Sequence, residues 1–491
     1  MARKTSLPVS ASMSRLPAIG PLASRIRAAT RGKSTIQASV DYLLGQREAM
    51  IGFGSIEALY EPELTSNPRI AKACEFHFRM TRVALARELW SHGMYIGVTI
   101  IDQVLYWVIT TTAAPDPVRA VLEEIRDHGL HRPGLLIFPL ISFGILGAGI
   151  LHAFTTARVE FMLERYGMAV LPQSNSLEAT MRSLESARRQ FGITQRVPTN
   201  LIEHWLRSRS TDWLHRNPLM VLRVRSQPGS YYENQRLLIT RLQAAAGFVS
   251  MLSTLQPQRA DDTRRLFSSS MINNSQTLNV RHYIVLYSKS GRQREMDGDC
   301  VPMWLGGTAF ADVSDLSIEL EPGHWSRQQD KADRIFRAVD RIHAGYVRHT
   351  LVGGGSSPLG RVYRKLFEAL KFFRRSFRPS DGRWTAVLSL AIAFEVLTTD
   401  SYADGVHNRV VRRAKLLLRG VAGVRGYGVA VDNLYSARGA LVHAGGSAAD
   451  VDISTAQRAF SHCLVAAAER VRRVRSTSPS PMQDLAGDQI R

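Results

Sequence analysis

With 491 residues, 45% hydrophobic and 21% charged, the chain has the composition of a folded protein and the length for two to four domains with real cores. Its three cysteines, Cys74, Cys300 and Cys463, are far apart and form no CxxC or His/Cys cluster at zinc spacing, which argues against a disulfide framework or a structural zinc site and fits a reducing, cytosolic compartment. Lys and Arg number 63 against 42 Asp and Glu, a net charge of +21 that favours a polyanionic partner, nucleic acid or an anionic membrane face; only eight of the 63 are lysine, so a genome favouring arginine codons is the competing origin of the excess.

The first acidic residue is Asp41. Residues 1–33, rich in Ser, Ala, Arg and Pro, lack the continuous apolar run of a secretory signal and read as a disordered basic leader, with an organelle transit peptide as the alternative. Residues 34–155 read as a helical region with two apolar segments of membrane-spanning length. Gly134 to Ala153 (GLLIFPLISFGILGAGILHA) has no Asp, Glu, Lys or Arg over about the 20 residues that a bilayer core requires. Met94 to Ala113 is as long, but Asp102 and Gln103 lie near its middle, a costly placement in lipid. Arg79, Arg82 and Arg87 precede the pair and Arg158 and Arg165 follow it. This charge pattern predicts a two-helix membrane hairpin (94–113 and 134–153) with both ends in the cytoplasm, and so association with an inner membrane. A buried helical hairpin in a soluble domain is the other reading.

Residues 156–325 read as a mixed α/β accessory or sensor domain. NSLEATMRSLESARRQFG is an amphipathic helix capped by Asn175 or Ser176. In YYENQRLLITRLQAAAGFVSMLSTL, Leu238, Leu242, Ala245, Val249 and Leu252 recur at helical spacing. RHYIVLYSKSGRQREMDGDCVPMWLGG reads as two strands around a polar loop, and DLSIELEPG as a third short strand. Residues 326–355 supply a helix and a Gly-rich joint; GGGSS at 353–357 is no phosphate loop, since no Gly-Lys-Ser/Thr follows.

Residues 356–475 are almost purely helical: five segments with short connections, the second nearly all apolar, the fourth stopped by Gly445 and Gly446, and the fifth capped by Asp452. They hold 20 Lys and Arg against 9 Asp and Glu, about half of the chain's excess positive charge. Residues 476–491, rich in Ser and Pro, read as a disordered tail. The expected fold class is multidomain and mainly α: a C-terminal helical bundle, a middle mixed α/β region and an N-terminal helical region with the membrane hairpin.

One stretch of the bundle carries chemistry. In LYSARGALVHAGG (434–446), Arg438 stands five residues before His443. The spacing recurs at Arg87/His92 and Arg126/His131, so the setting decides. An apolar helix holding Glu395 (SLAIAFEVL) and an Arg-rich helix (NRVVRRAKLLL) come first; Leu434 and Tyr435 precede the arginine and Gly445 follows the histidine. In these features residues 357–475 resemble a HEPN domain of the Apea-like kind, whose marker is an Arg, four to six residues, then a His. The resemblance implies a metal-independent endoribonuclease with no cofactor, active in bacterial defence or growth arrest, with RNA as substrate.

The residue chemistry fits that activity. An RNA 2′-hydroxyl attacks the adjacent phosphorus and the leaving 5′-oxygen takes a proton. His443 can act as general acid or base, since imidazole titrates near neutrality and the end of a helix favours its protonated form. Arg438 can clamp the phosphorane oxygens. Residues five apart on a helix point about 140° away from each other, so the compact site implied by the resemblance is a homodimer in which two such helices face one another. Tyr435 lies one turn before Arg438 and can position it. Arg409, Arg412, Arg413 and Lys415 can track the RNA backbone or simply form a solvated face. Glu395 either orients Arg438 or His443 or salt-bridges an arginine of the third helix, and His407 and His462 read as surface or core residues. Gly439 directly follows Arg438, where many active members carry a polar side chain; that favours an alternative, a catalytically silent module for RNA binding or dimerisation. A third reading makes the membrane hairpin the effector.

Overall fold

The computed structural model describes residues 18–31, 34–112, 114–128, 133–145, 167–171, 176–208, 211, 213–226, 235–255, 282–288, 293–302, 315–320, 328–351, 355–377, 382–401, 405–444 and 451–488. The fold is mainly helical with a small mixed sheet.

The N-terminal region has its own apolar core. Helices α1 (Ile19–Ala28), α2 (Ile36–Gly45), α3 (Arg47–Gly52), α4 (Ile56–Tyr60), α5 (Pro68–Ser91), α6 (Val98–Trp107) and α7 (Pro117–Asp127) surround it, and strands β1 (Thr30–Arg31) and β2 (Ser34–Thr35) form a small antiparallel pair. The part of the supposed basic leader that is described is folded: Leu22, Ala23 and Ile26 of α1 are buried, and Arg27 pairs with Asp116 at the start of α7. An apolar stripe at i, i+1 and i+4 outweighs the basic composition. Residues 1–17 and 32–33 lie outside the described residues.

Among the described residues the two-helix membrane hairpin is not formed. Its first segment breaks into β3 (Met94–Tyr95), α6 and a π-helical turn at Val108–Thr112. Asp102, awkward in lipid, is here the acceptor of a buried polar knot, bonded by Tyr60 Oη at 2.8 Å and Arg82 at 3.0 Å. The second segment becomes β4 (Gly134–Pro139) and β5 (Ile141–Ile145), and residues 146–153 lie outside the described residues. Among the described residues no helix is long and apolar enough to cross a membrane. All six β4 residues are buried because the strand has neighbours on both edges, so its run is apolar without alternating, which is also how a membrane helix reads. Gly134 is required there: a Cβ would collide with the Leu286 carbonyl.

The sheet runs β3–β7–β4–β8–β9, with β6 (Met168–Leu171) also on β7 (Leu219–Ser226). β3 is parallel to β7. β4 and β6 are antiparallel to β7, and β4–β8 (His282–Tyr287) and β8–β9 (Asp297–Pro302) are antiparallel pairs. A separate parallel pair joins β5 to β10 (Asp315–Leu320). The two strands expected in RHYIVLYSKSGRQREMDGDCVPMWLGG and the third in DLSIELEPG form as β8, β9 and β10, yet the sheet also recruits 94–95 and 134–139, and the separate pair takes in 141–145, so the α/β unit is not confined to 156–325. Three helices accompany it, α8 (Leu177–Gln190), capped by Ser176 Oγ as expected, α9 (Thr199–Arg207) and the short α10 (Trp213–Arg216).

Helix α11 (Gln235–Ser253) and helix α12 (Gln329–Tyr346) link the sheet to the bundle. α12 is the helix expected within 326–355; of the Gly-rich joint expected at 353–357, residues 353 and 354 lie outside the described residues. Phe336 packs edge-on against Phe248 of α11, Tyr346 stacks on Phe367 at 4.2 Å, and Arg334 forks onto Glu469 at 2.6 and 2.7 Å. Sheet and bundle therefore share one continuous core.

The five expected bundle helices form: α13 (Pro358–Arg375), α14 (Gly382–Thr398), α15 (Val406–Leu417), α16 (Val424–Ala444) and α17 (Ile453–Arg470), the last capped by Asp452. Phe460 centres them, stacked on Phe373 at 4.7 Å and edge-on to Phe394 at 5.2 Å, all three fully buried. The described part of the C-terminal segment, residues 476–488, is folded, contrary to its reading as a disordered tail. It forms α18 (Pro481–Ala486), buries Met482 and Leu485, and its first amides bond to Asp400 at 2.8 and 3.1 Å. Asp488 then accepts from buried Arg413 at 2.8 Å and from Arg412 at 2.7 Å.

Burial works to raise the Asp488 carboxyl, but the Arg413 and Arg412 hydrogen bonds outweigh it and hold it below the ordinary carboxylate range. A depressed folded pKa stabilises the fold at neutral pH, and that contribution is lost as pH falls below the unfolded value through the folded one. Asp488→Asn should lower unfolding free energy in a urea titration at pH 7 by about 3 kcal/mol, the scale for stranding a buried charge, and the gap from wild type should narrow in acid.

Candidate active site on the fourth bundle helix

The bundle gathers Glu395, Tyr435 and Arg438. Tyr435 is on the inner face of α16 beside fully buried Leu434, and its hydroxyl lies 3.2 Å from Glu395 Oε2 and 3.3 Å from the Ala391 carbonyl, able to donate to either. Burial and then the Glu395 carboxylate push the phenol pKa up, while the Arg438 charge acts the other way. Tyr435 is thus a neutral donor joining α16 to α14, within electrostatic reach of Arg438, which is half-buried. Glu395 does not take the structural role of pairing with an arginine of the third helix through Arg413. That guanidinium bonds to Asp488 and the Thr398 carbonyl and lies 3.7 Å from Asp400.

His443 is in the last turn of α16, and its side chain and Gly445 lie outside the described residues. Of the two other Arg/His pairs, His131 lies outside as well. His92 ends α5 with Nδ1 2.6 Å from the Glu88 carbonyl; burial and then nearby Arg25 lower its pKa, so it is a helix-end residue. Gly439 is half-buried in helical conformation, and a Cβ there meets nothing within 4 Å. Packing does not require the glycine.

The expected RNA-tracking residues divide. Arg412 and Lys415 line an open groove of about 490 Å³ with Asn408, Arg419 and, from α16, Asp432. Arg412 shares Asp488 but keeps half of its side chain exposed. Arg409 is half-buried and already engaged within the protein. Arg413 is corrected: only 4% of its side chain is exposed, and it is a structural cation. Its position was a readable signal, since it falls on the same helical face as buried Val410, Ala414 and Leu417.

Two residues join the site unexpectedly. His407 Nε2 is 2.7 Å from Asp432 Oδ1, and its ring centre is 5.6 Å from that of Tyr435. Asp432 is one turn before Tyr435, a spacing that could have flagged it. His462 is half-buried near Tyr427, with its pKa lowered by burial and by Lys331 and Arg334. No group of three or more His, Cys, Asp or Glu suited to a metal ion occurs among the described residues. No family model, curated protein or solved structure matches the chain.

Because position 439 is helical and open, Gly439→Ala should raise the stability by up to about 1 kcal/mol in chemical denaturation. A loss of stability would show that α16 needs the glycine for close approach to something else.

Proposed function

We propose that the chain is a metal-independent endoribonuclease of HEPN type, acting as a homodimer with Arg438 and His443 as the composite site and serving bacterial defence or growth arrest. The observation that carries this reading is the tether from Tyr435 to Glu395, which fixes the helix of the Arg/His motif beside the acid-bearing apolar helix. Arg438 stabilises the phosphorane, and histidine moves the proton from the 2′-oxygen to the leaving 5′-oxygen, giving a 2′,3′-cyclic phosphate and a 5′-hydroxyl.

The dimer is supported by the outer face of α16. Gly426, Val429, Asn433, Ser436 and Ala440 form an exposed stripe of mostly small residues on which a second copy of the helix can lie closely, continuing to position 443. Arg412 and Lys415, at the groove beside this helix, supply the backbone contacts. The membrane hairpin has no part in the proposal. A second reading, a silent module that binds RNA or dimerises, is favoured by Gly439, which puts no polar side chain beside Arg438.

Purified protein incubated with RNA in the presence of a chelator should give cyclic-phosphate ends, and His443→Ala or Arg438→Ala should lower the rate at least ~100-fold. Cleavage unchanged in both variants would overturn the catalytic assignment; RNA binding without cleavage in the wild type would establish the silent module. Replacing both Arg412 and Lys415 by alanine should weaken RNA binding and reduce the slope of log affinity against log salt by up to about 2, read by fluorescence anisotropy.

A further inference from the structure

Arg223 and Arg225 stand two residues apart on β7, so their side chains leave the same face of the sheet with backbones about 7 Å apart. The register defines that face: Arg223 is opposite Leu135, which is opposite Leu286, which is opposite Gly298, and Arg225 is opposite Met94. Trp205 covers the Gly298 end, where a Cβ would come within 2.9 Å of its ring. The arginines occupy the other end. Met94 belongs to the core of the N-terminal helices and Tyr95 to the core of sheet and bundle, so Arg225 lies at the seam of the two cores.

Burial here is deep for a charge with no acidic partner among the described residues. Arg225 is 7% exposed and Arg223 half-buried, and the Nε of each lacks a hydrogen-bond acceptor. Neither has an acidic partner among the described residues. Burial, and then the neighbouring Arg223 charge, brings the Arg225 guanidinium down to about 10. Two other buried arginines are neutralised, Arg188 by Glu185 and Arg413 by Asp488. A buried cation is costly unless something answers its charge, and two guanidiniums side by side suit the oxygens of a tetrahedral dianion.

We propose that Arg223 and Arg225 form a binding site for a phosphate group, carried by a small ligand, at the seam between the sheet and the N-terminal helices. The site is separate from the bundle and does not depend on the ribonuclease reading. A ligand there would touch both cores at once, as a sensor region requires.

The test is thermal unfolding of the full chain titrated with inorganic phosphate or adenosine 5′-monophosphate, each against sodium chloride at equal ionic strength. Ligand that binds only the folded state raises Tm with concentration. The expected result is a rise above the salt control with at least one ligand, and a midpoint concentration at least tenfold higher in Arg223→Gln and Arg225→Met. Response to phosphate alone assigns a free anion, and response to the nucleotide assigns a phosphate ester; both support the site. Methionine keeps the stem of Arg225 without its charge, so that variant should melt no lower than wild type without ligand. If it does not fold, Arg223→Gln decides. No rise with either ligand in the wild type, or an equal rise in the variants, overturns the proposal.

Discussion

Helix α12 must pack against α11 on one side and against the bundle on the other, and the single core shared by sheet and bundle depends on that demand. One side meets Phe248 of α11, while Tyr346 stacks on Phe367 and Arg341 bonds to the Ala468 carbonyl of the bundle. The exposed Arg334–Glu469 fork adds little, because water and salt screen it. Apolar burial on both sides does most of the work. Gly345 allows the approach, since any Cβ would run into the Tyr363 ring. A larger residue there would push the bundle away from the sheet without touching the residues proposed for chemistry.

Elements whose signals are local were legible in the sequence. Ser176 starts α8 and Asp452 starts α17 because a side-chain oxygen before an amphipathic run answers a free amide within three residues. The hairpin β8–β9 was legible from its two arms and polar loop. What stayed hidden depends on distant partners. The β4 run reads equally as a lipid-facing helix or a doubly flanked strand, and only β7 and β8 decide between them. Met482 and Leu485 are lost in a Ser/Pro-rich context, although Asp400 organises the helix that buries them.

The site follows the same division. Tyr435, Glu395 and Arg438 come together because the order of the helices sets their faces, which sequence spacing conveys. Arg412 and Arg413 are adjacent and chemically identical, yet one faces the groove and the other is a core cation. The apolar neighbours of Arg413 on its helix were the available clue; its counter-charge, 75 residues further on, was not. His407 gained significance only when the packing of α15 on α16 brought it to Asp432.

That separation of 75 residues has a consequence for synthesis. At ribosomal rates of about 5–20 residues per second, Arg413 emerges several seconds before Asp488 exists to neutralise it. Through that interval the Thr398 carbonyl and the carboxylate of Asp400, 3.7 Å away, are the partners already made for the buried Arg413 guanidinium. The closest carboxylate contact of Arg413, and with it the full neutralisation of the bundle's buried cation, therefore waits for the last residues of the chain to be made.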